Sequence, residues 1–556
     1  MNRKFTRREA LIGVSSTLLL PVACSQAGIG SDAASDLVFL HGIASGDPDS
    51  TSIVIWTRVS NADGQTEVDW RVATDESFQN VVASGQYMTD ANRDHTVKVV
   101  VDRLIPGQEY FYRFDVEGIR SPVGQTKTLP TGHVDRLVLA VATCANYAFG
   151  YFNAYEVIAE DPNVDLVVHL GDYFYEHGPD EYGGETGRRI GRNHEPAHEA
   201  VTLADYRQRL AQYKTDPGSK AMHARHPLVV LWDDHETANN PWMGGAKNHQ
   251  ADEGDWATRR DASLQAFYEW LPIRDPHAGG TREEYWRHYK FGDLASLITL
   301  ETRHTGRSKQ IEIDSYLDNI NSKAEAQEFI TTVVGAADRN LLSSEMKQFL
   351  ADELAESVNA NRRWRIIGNP SVMARRIAPD LQVPFFATLR SDLDDDATHM
   401  LDGLKKHGSL ELPVDLDSWN GYPQARENFY QISKDAGAHD LLFLAGDSHS
   451  FWQNELYDAA GESMGVELGA TGITSPRSLL DLGQEGLRRF DELNAANNAE
   501  IVWTEGRYRG FIRLELDHDG AHADFVTVTN VETRSYSTKI VRSVDIESRD
   551  GTLRYT

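Results

Sequence analysis

The sequence predicts an α/β fold in which two packed sheets carry helices on their outer faces, preceded by a small all-β sandwich. Three observations carry that prediction. From residue 37 to about 130, short β-branched and aromatic runs are separated by Gly, Asp, Asn and Pro turns, the pattern of a sandwich. Beyond 130, apolar runs of strand length alternate with amphipathic helical segments, as in layered α/β proteins. Near the end, residues 510–516 and 525–528 read as an antiparallel strand pair.

In the first region the strands are 52–58 (SIVIWTR), 67–73, 96–101 and 109–116, and no acid or histidine cluster of catalytic type lies within them. In the second region 137–141, 166–170, 228–232 and 441–445 are apolar throughout, as strands buried on both faces must be. Residues 294–300 and 364–367 are further strands. A helix over 202–213 puts Leu203, Tyr206, Leu210 and Tyr213 on one face, and a second over about 257–270 turns Ala262, Ala266, Phe267 and Trp270 inward. The sequence has no internal repeat and no low-complexity tract. Its densest acidic run, 391–396 (SDLDDD), reads as a solvated loop because adjacent like charges repel and hydrate; a Ca²⁺ site is the alternative.

The 556 residues exceed one ordinary core, and they divide into 1–27, 28–130 and 131–556. Hydrophobic residues at 40% and charged residues at 25% are enough for an ordered globular chain. The net charge of -29 excludes nucleic acid as a stable partner, since neutralising phosphates needs clustered Lys and Arg. Any anionic substrate must then be met by strong local positive charge, which bound metals supply.

Residues 1–27 read as an export signal. Arg3, Lys4, Arg7 and Arg8 precede a modest apolar stretch, 11–23, too short to span a bilayer. Thr6-Arg7-Arg8-Glu9-Ala10-Leu11 resembles a twin-arginine signal, with Ala10 where that pattern usually has an aromatic residue; a general secretory signal is the alternative. Cys24 resembles a lipoprotein acylation site, although Pro21 fits the usual box poorly and cleavage after Ala27 serves equally. The expected location is the periplasm, the cell surface or the medium, with or without a lipid anchor at Cys24.

With Cys24 assigned to the signal, Cys144 is the one remaining cysteine and has no disulfide partner. It is either a small buried hydrophobe or a metal ligand, and its place at a strand end favours the ligand. Thr143-Cys144-Ala145, Gly171-Asp172-Tyr173-Phe174-Tyr175, Asp233-Asp234-His235-Glu236 and Gly446-Asp447-Ser448-His449 each follow a buried run. Pockets in open α/β sheets lie beyond the carboxyl ends of the strands, so these four motifs can converge on a polynuclear metal site. Singly they are weak, because Gly-Asp is a common turn pair.

The spacing of Asp172 and Tyr175 lets one tight turn aim two oxygens at one cation. A phenolate and a thiolate beside carboxylates suit Fe³⁺ better than Mg²⁺. Asp233, Asp234, Asp447 and His449 then complete the shell, with carboxylates able to bridge adjacent ions. Asp234 and His235 have a second reading as a helix N-cap with a surface histidine. Asn239, Asn240 and Arg303 are candidate calcium or phosphate contacts, and Asn369 is either a turn residue or functional.

With these motifs the chain resembles the PhoD family of secreted alkaline phosphatases and phosphodiesterases, relatives of the metallophosphoesterases. His41-Gly42-Ile43-Ala44-Ser45-Gly46-Asp47-Pro48 and Val54-Ile55-Trp56-Thr57-Arg58 look like its amino-terminal fibronectin-like domain. Gly171 to Glu176, Trp232 to Glu236 and Gly446 to His449 look like its catalytic motifs. The resemblance implies a metallophosphoesterase-like two-sheet sandwich holding Fe³⁺ and Ca²⁺, with Cys144, Asp172 and Tyr175 on iron and Asp172 bridging to calcium. Thr143-Cys144-Ala145 replaces the Asp-x-His of general metallophosphoesterases, which disfavours a plain zinc or manganese pair.

The function expected is hydrolysis of phosphate monoesters, diesters or both, by metal-activated hydroxide attacking phosphorus in line. His235, with Asp234 beside it and oriented by Glu236 or Asp233, protonates the departing alkoxide. One alternative is a phosphodiesterase or phospholipase D acting on phospholipid or teichoic-acid-like diesters. Another, of a different class, is a cell-surface binding lipoprotein whose metals are structural; the donor set with His235 argues against it, since structural sites are usually closed. Paired-carboxylate glycoside hydrolysis would require neither Cys144 nor Tyr175.

Overall fold

The computed structural model describes residues 35, 38–389, 395–477 and 479–556, without the side chains of 395 and 396. The export signal 1–27 with its Cys24, and residues 391–394 of the acidic run, lie outside the described residues. Among the described residues no helix is long and apolar enough to cross a membrane.

Two sheets face each other. The larger has ten strands in the spatial order Thr552–Tyr555, Thr538–Arg549, Ala521–Val528, Arg509–Asp517, Arg136–Ala142, Leu166–His169, Leu228–Val230, Ile43–Gly46, Ile53–Arg58 and Thr96–Val101. The smaller runs His288–Phe291, Ala295–Thr299, Trp364–Asn369, Leu441–Ala445, Ser463–Gly469, Phe451–Tyr457 and Ile501–Glu505. Their central strands are parallel: Arg136–Ala142 with Leu166–His169 and Leu228–Val230, and Trp364–Asn369 with Leu441–Ala445. Strands of one direction send their carboxyl ends to one edge, which is where the motifs follow.

Alternation along Arg136–Ala142 shows why that run is apolar throughout. Leu137, Leu139 and Val141 face Ile366, Leu442 and Leu444 of the opposite sheet, whereas Val138, Ala140 and Ala142 face a helical layer with Ile158, Leu210, Met222 and Phe267. Both faces are buried, so period-2 polarity disappears. Helices Asn153–Glu160, Leu203–Lys214, Pro217–Arg225 and Trp256–Trp270 cover the larger sheet, and Ser344–Asn359 with Pro423–Asp435 covers the smaller. Leu203–Lys214 starts where its chemistry dictates: Thr202 accepts from the Asp205 N–H and Asp205 accepts from the Thr202 N–H, a reciprocal capping box. The late pair is antiparallel, Arg509–Asp517 with Ala521–Val528. Ala262 is only half-buried, while Ala266, Phe267 and Trp270 are buried as expected.

The amino-terminal sandwich is less separate than its sequence pattern implies. One layer is the sheet of Val81–Thr89, Thr66–Ala73, Glu109–Val116, Ile119–Arg120 and Gly124–Lys127, but the layer facing it is the last three strands of the ten-stranded sheet. The seam is parallel pairing of Gly46 with Leu228, continued by the Asp47 N–H donating to the Leu228 carbonyl at 2.9 Å. Trp56 Nε1 donates to the Glu269 carbonyl at 2.8 Å and Lys98 Nζ to the Tyr268 carbonyl at 2.6 Å, tying both strands to the helical layer. Local periodicity identifies strands but carries no record of which sheet they join.

Gly46 is the tight point of this seam, because a Cβ there would lie 2.5 Å from the Leu228 carbonyl oxygen and 2.7 Å from that of Pro272. Gly46→Ala is expected to lower unfolding free energy by about 1–3 kcal/mol, the usual cost of overpacking, as read by urea denaturation.

Candidate metal centre and active site

The first candidate ligands follow the ends of parallel strands, and the backbone there is unusual. Cys144, Asp172, Asp447 and His449 all have left-handed φ, at 55°, 53°, 61° and 53°. A residue with a side chain adopts that conformation at a cost, and such residues cluster at functional sites. Gly171 permits the crossing, since a Cβ there would sit 2.6 Å from both Cβ and N of Asp233. The strand ends are laced together as the Cys144 N–H donates to the Gly171 carbonyl at 3.1 Å and the Ala145 N–H to that of Asp172 at 2.8 Å.

The structure brings two donor groups together around one shared carboxylate. Cys144, Asp172 and His449 offer ligand atoms within 4.8 Å of one another, and so do Asp172, Asp234 and His235. Tyr175 joins the first group: its hydroxyl is 2.9 Å from Asp172 Oδ2, 3.2 Å from His449 Nε2 and accepts from Ser475 Oγ at 2.8 Å. His449 Nδ1 donates to the Pro476 carbonyl at 2.8 Å, which leaves Nε2 free for the centre. Burial pushes the His449 pKa down to about 3, so its ring is neutral, as a ligand must be. Asp447 lines the same cleft, which is about 700 Å³ in volume.

The anionic donors are held where anions are least comfortable. Burial first, then Asp234, pushes the Asp172 carboxyl well above its ordinary range; burial, then Asp233, does the same to Asp447. Burial followed by the Asp172 charge raises both the Cys144 thiol and the Tyr175 phenol. Asp233 Oδ2 and Asp234 Oδ1 are buried without a hydrogen-bond partner. Such a set fits cations: it offers thiolate, phenolate, imidazole and carboxylate donors, and positive charge would compensate the ionised forms that burial disfavours.

Several expected residues have other partners. Glu236 does not orient His235; its carboxylate accepts the backbone N–H groups of Asp172 at 3.1 Å, Tyr173 at 2.5 Å and Asp233 at 2.7 Å, strapping two strand ends together. Asp233 does not orient His235 either, because Arg303 Nε holds its Oδ1 at 2.6 Å. Arg303 is buried, also pairs with Asp417 at 2.7 Å, and brings Nη2 to 3.8 Å from Asp234. Asn239 and Asn240 line the cleft, and their backbone N–H groups donate to Glu176 and Asp234. Asp234 heads a turn rather than a helix. Asn369 receives Trp419 Nε1 at 3.1 Å and donates to the Ser371 carbonyl, engaged in packing.

The residue that sequence reasoning missed is Glu176. Its Oε2 holds His235 Nδ1 at 2.7 Å, while Oε1 accepts from the Asn239 N–H at 2.6 Å and Asn248 Nδ2 at 3.2 Å. Burial works against an imidazolium at His235, but Asp234, Glu176 and Asp172 outweigh it and raise its pKa well above the ordinary value. The available signal was a second carboxylate, directly after Tyr175, in the motif that already carries Asp172.

Comparison with known proteins places the chain. Residues 139–525 match the family described as PhoD-like phosphatase, and residues 23–130 match its N-terminal domain. The chain belongs to the PhoD-like phosphatase family. Alkaline phosphatase D of Bacillus subtilis (strain 168) is 33% identical over 547 residues, covering 94% of this chain and 84% of that protein. A solved structure of PhoD is 30% identical with a TM-score of 0.76, covering 94% of this chain and 92% of that one. The purple acid phosphatase PPD1 from yellow lupin seeds, at 13% identity and a TM-score of 0.53 over 91% of this chain and 74% of its own, shares the fold alone. This PhoD-like phosphatase is therefore a phosphoric ester hydrolase, and the binding-lipoprotein and glycosidase readings fall away.

Removing the Glu236 strap orphans three buried N–H groups. Glu236→Ala is expected to cost about 2–4 kcal/mol of unfolding free energy, and Glu236→Gln, which keeps one acceptor, clearly less; denaturant unfolding of the two variants checks the order.

Proposed function

We propose that the protein is an exported, metal-dependent phosphoesterase that hydrolyses phosphate monoesters, diesters or both. The observation that carries this reading is the Asp172 carboxylate, set between the Cys144, Tyr175 and His449 donors on one side and the Asp234 carboxylate on the other. Cys144, Asp172, Tyr175 and His449 would hold Fe³⁺, and Asp172, Asp234 and Asp447 would hold Ca²⁺, whose hardness suits carboxylates. Asp233 keeps one buried oxygen without a hydrogen-bond partner while anchoring Arg303. When bound, such cations supply Lewis acidity and the positive charge that a phosphoryl group needs among carboxylates.

The chain's own part in the chemistry centres on His235. Glu176 fixes the ring through Nδ1 and favours its protonated form, so Nε2 turns a proton toward the cleft, with Asp234 Oδ2 at 3.8 Å. A proton delivered there neutralises the leaving oxygen as the ester bond breaks. Asn239 and Asn240 line the approach, and Arg303 adds fixed positive charge behind Asp233 and Asp234. A diester fits the same arrangement, because the proton goes to whichever oxygen departs. Export rests on the paired arginines Arg7 and Arg8 and the apolar stretch that follows.

Metal analysis with a visible spectrum tests the centre. Iron and calcium are expected, with a tyrosinate-to-iron charge-transfer band that Tyr175→Phe abolishes; a colourless, fully active, zinc-only enzyme would refute the assignment. His235→Ala is expected to lower kcat by about 10²–10⁴-fold while metal content stays unchanged, measured on 4-nitrophenyl phosphate and bis(4-nitrophenyl) phosphate. Which of the two esters turns over decides between monoester and diester chemistry.

A further inference from the structure

Three side chains meet at the end of the sheets away from the cleft. His133 lies just before strand Arg136–Ala142, Asp293 in the turn between His288–Phe291 and Ala295–Thr299, and His518 in the turn between Arg509–Asp517 and Ala521–Val528. The strand from Arg136 to Ala142 alone separates them from Cys144 by roughly 20 Å. Their ligand atoms lie within 4.8 Å of one another. His133 Nδ1 is 2.9 Å from Asp293 Oδ2, and His518 Nε2 is 3.5 Å from Asp293 Oδ1.

We infer that His133, Asp293 and His518 form a second metal site, separate from the catalytic centre, that takes a Zn²⁺-class divalent ion. Two imidazole nitrogens and one carboxylate oxygen suit zinc and not calcium or magnesium, which prefer all-oxygen shells. Tetrahedral zinc with bonds near 2.0–2.2 Å needs donors about 3.3–3.5 Å apart; the nitrogens now stand 2.9 and 3.5 Å from the two oxygens of Asp293, and His518 Nε2 would exchange its 3.2 Å contact with the Val134 carbonyl for the ion. Water takes the fourth position on this exposed face.

Three features make the cluster more than a surface ion pair. The two rings stack at 5.0 Å with planes 17° apart, which sets both histidines side by side against the Asp293 carboxylate. A divalent ion serves both rings in their neutral form. His133 Nε2, the nitrogen turned away, sits 3.2 Å from Asp135 Oδ1, the outer carboxylate that metal-bound histidines commonly have. Asp293 is held in place beforehand: its Oδ1 accepts from the Val134 N–H at 3.0 Å, and its own N–H donates to the Gly132 carbonyl at 2.9 Å. The ion would clip the segment after the amino-terminal sandwich to a turn of each sheet.

The test is zinc titration of the full chain already loaded with its catalytic metals, beside the His133→Gln/His518→Gln double variant treated identically. Wild type is expected to bind one more equivalent of Zn²⁺ than the variant, with a rise in Tm that the variant lacks. Co²⁺ in place of Zn²⁺ should give tetrahedral visible bands in wild type only. Asp135→Asn should weaken binding about 10- to 100-fold. Without added zinc both proteins should hydrolyse phosphate esters equally, which shows that the variant is folded. Equal zinc stoichiometry and equal Tm shifts in the two proteins would overturn the inference. Because only the difference between them is read, the result stands whichever metals occupy the catalytic centre.

Discussion

The catalytic end of this molecule depends on placing the carboxylate of Asp172 where two donor groups share it. Cys144 and His449 lie to one side with the Tyr175 hydroxyl, and Asp234 and His235 to the other. Holding Asp172 there requires a left-handed backbone at a strand end, a conformation that costs of order 1 kcal/mol or more. Glu236 stabilises it by accepting N–H groups from both sides of the crossing. The glycine before Asp172 matters for the same reason, since the Asp233 segment passes where its side chain would be.

Around that carboxylate the fold concentrates negative charge that burial alone would neutralise. The protein is strongly acidic overall, and Arg303 is a buried cationic side chain within this anionic cluster, paired with Asp233 and Asp417. A centre of this composition favours bound cations, and bound cations in turn reconcile an acidic phosphatase with an anionic substrate. His235 and His449, both lining the cleft, are set apart by their partners. His449 donates to a backbone carbonyl and stays neutral, while His235 is paired with Glu176 and is favoured in its charged form. The same side chain is thus favoured neutral in one place and charged in the other.

The amino-terminal strands contribute to this framework as well as to their own sandwich. Because Ile43–Gly46 pairs with Leu228–Val230, whose chain leads directly into Asp233 and Asp234, the sandwich buttresses one of the strands that carry the site. Lys98 and Trp56 extend the buttress to Trp256–Trp270, the helix packed on the same sheet.

Much of this was legible in the sequence for a physical reason: strands buried on both faces are apolar throughout, and polar residues directly after them stand out. Cys144, Asp172, Tyr175, Asp234, Asp447 and His449 stand out as candidates that way, and the capped helix after Thr202 by its period. Contacts between segments far apart in the chain were not legible. Glu176 lies 59 residues from the histidine it holds, Glu236 bonds to backbone N–H groups that no pattern distinguishes, and Arg303 reaches Asp233 across 70 residues. The last two strands, Thr538–Arg549 and the edge strand Thr552–Tyr555, half exposed and weakly patterned, also escaped notice, as did the joining of the sandwich to the larger sheet. The sequence by itself determined which side chains stand at strand ends and hence the family and its chemistry. Tertiary structure alone decided which carboxylate faces a cation, which a histidine and which the backbone, because that choice belongs to whatever the fold brings within about 3 Å.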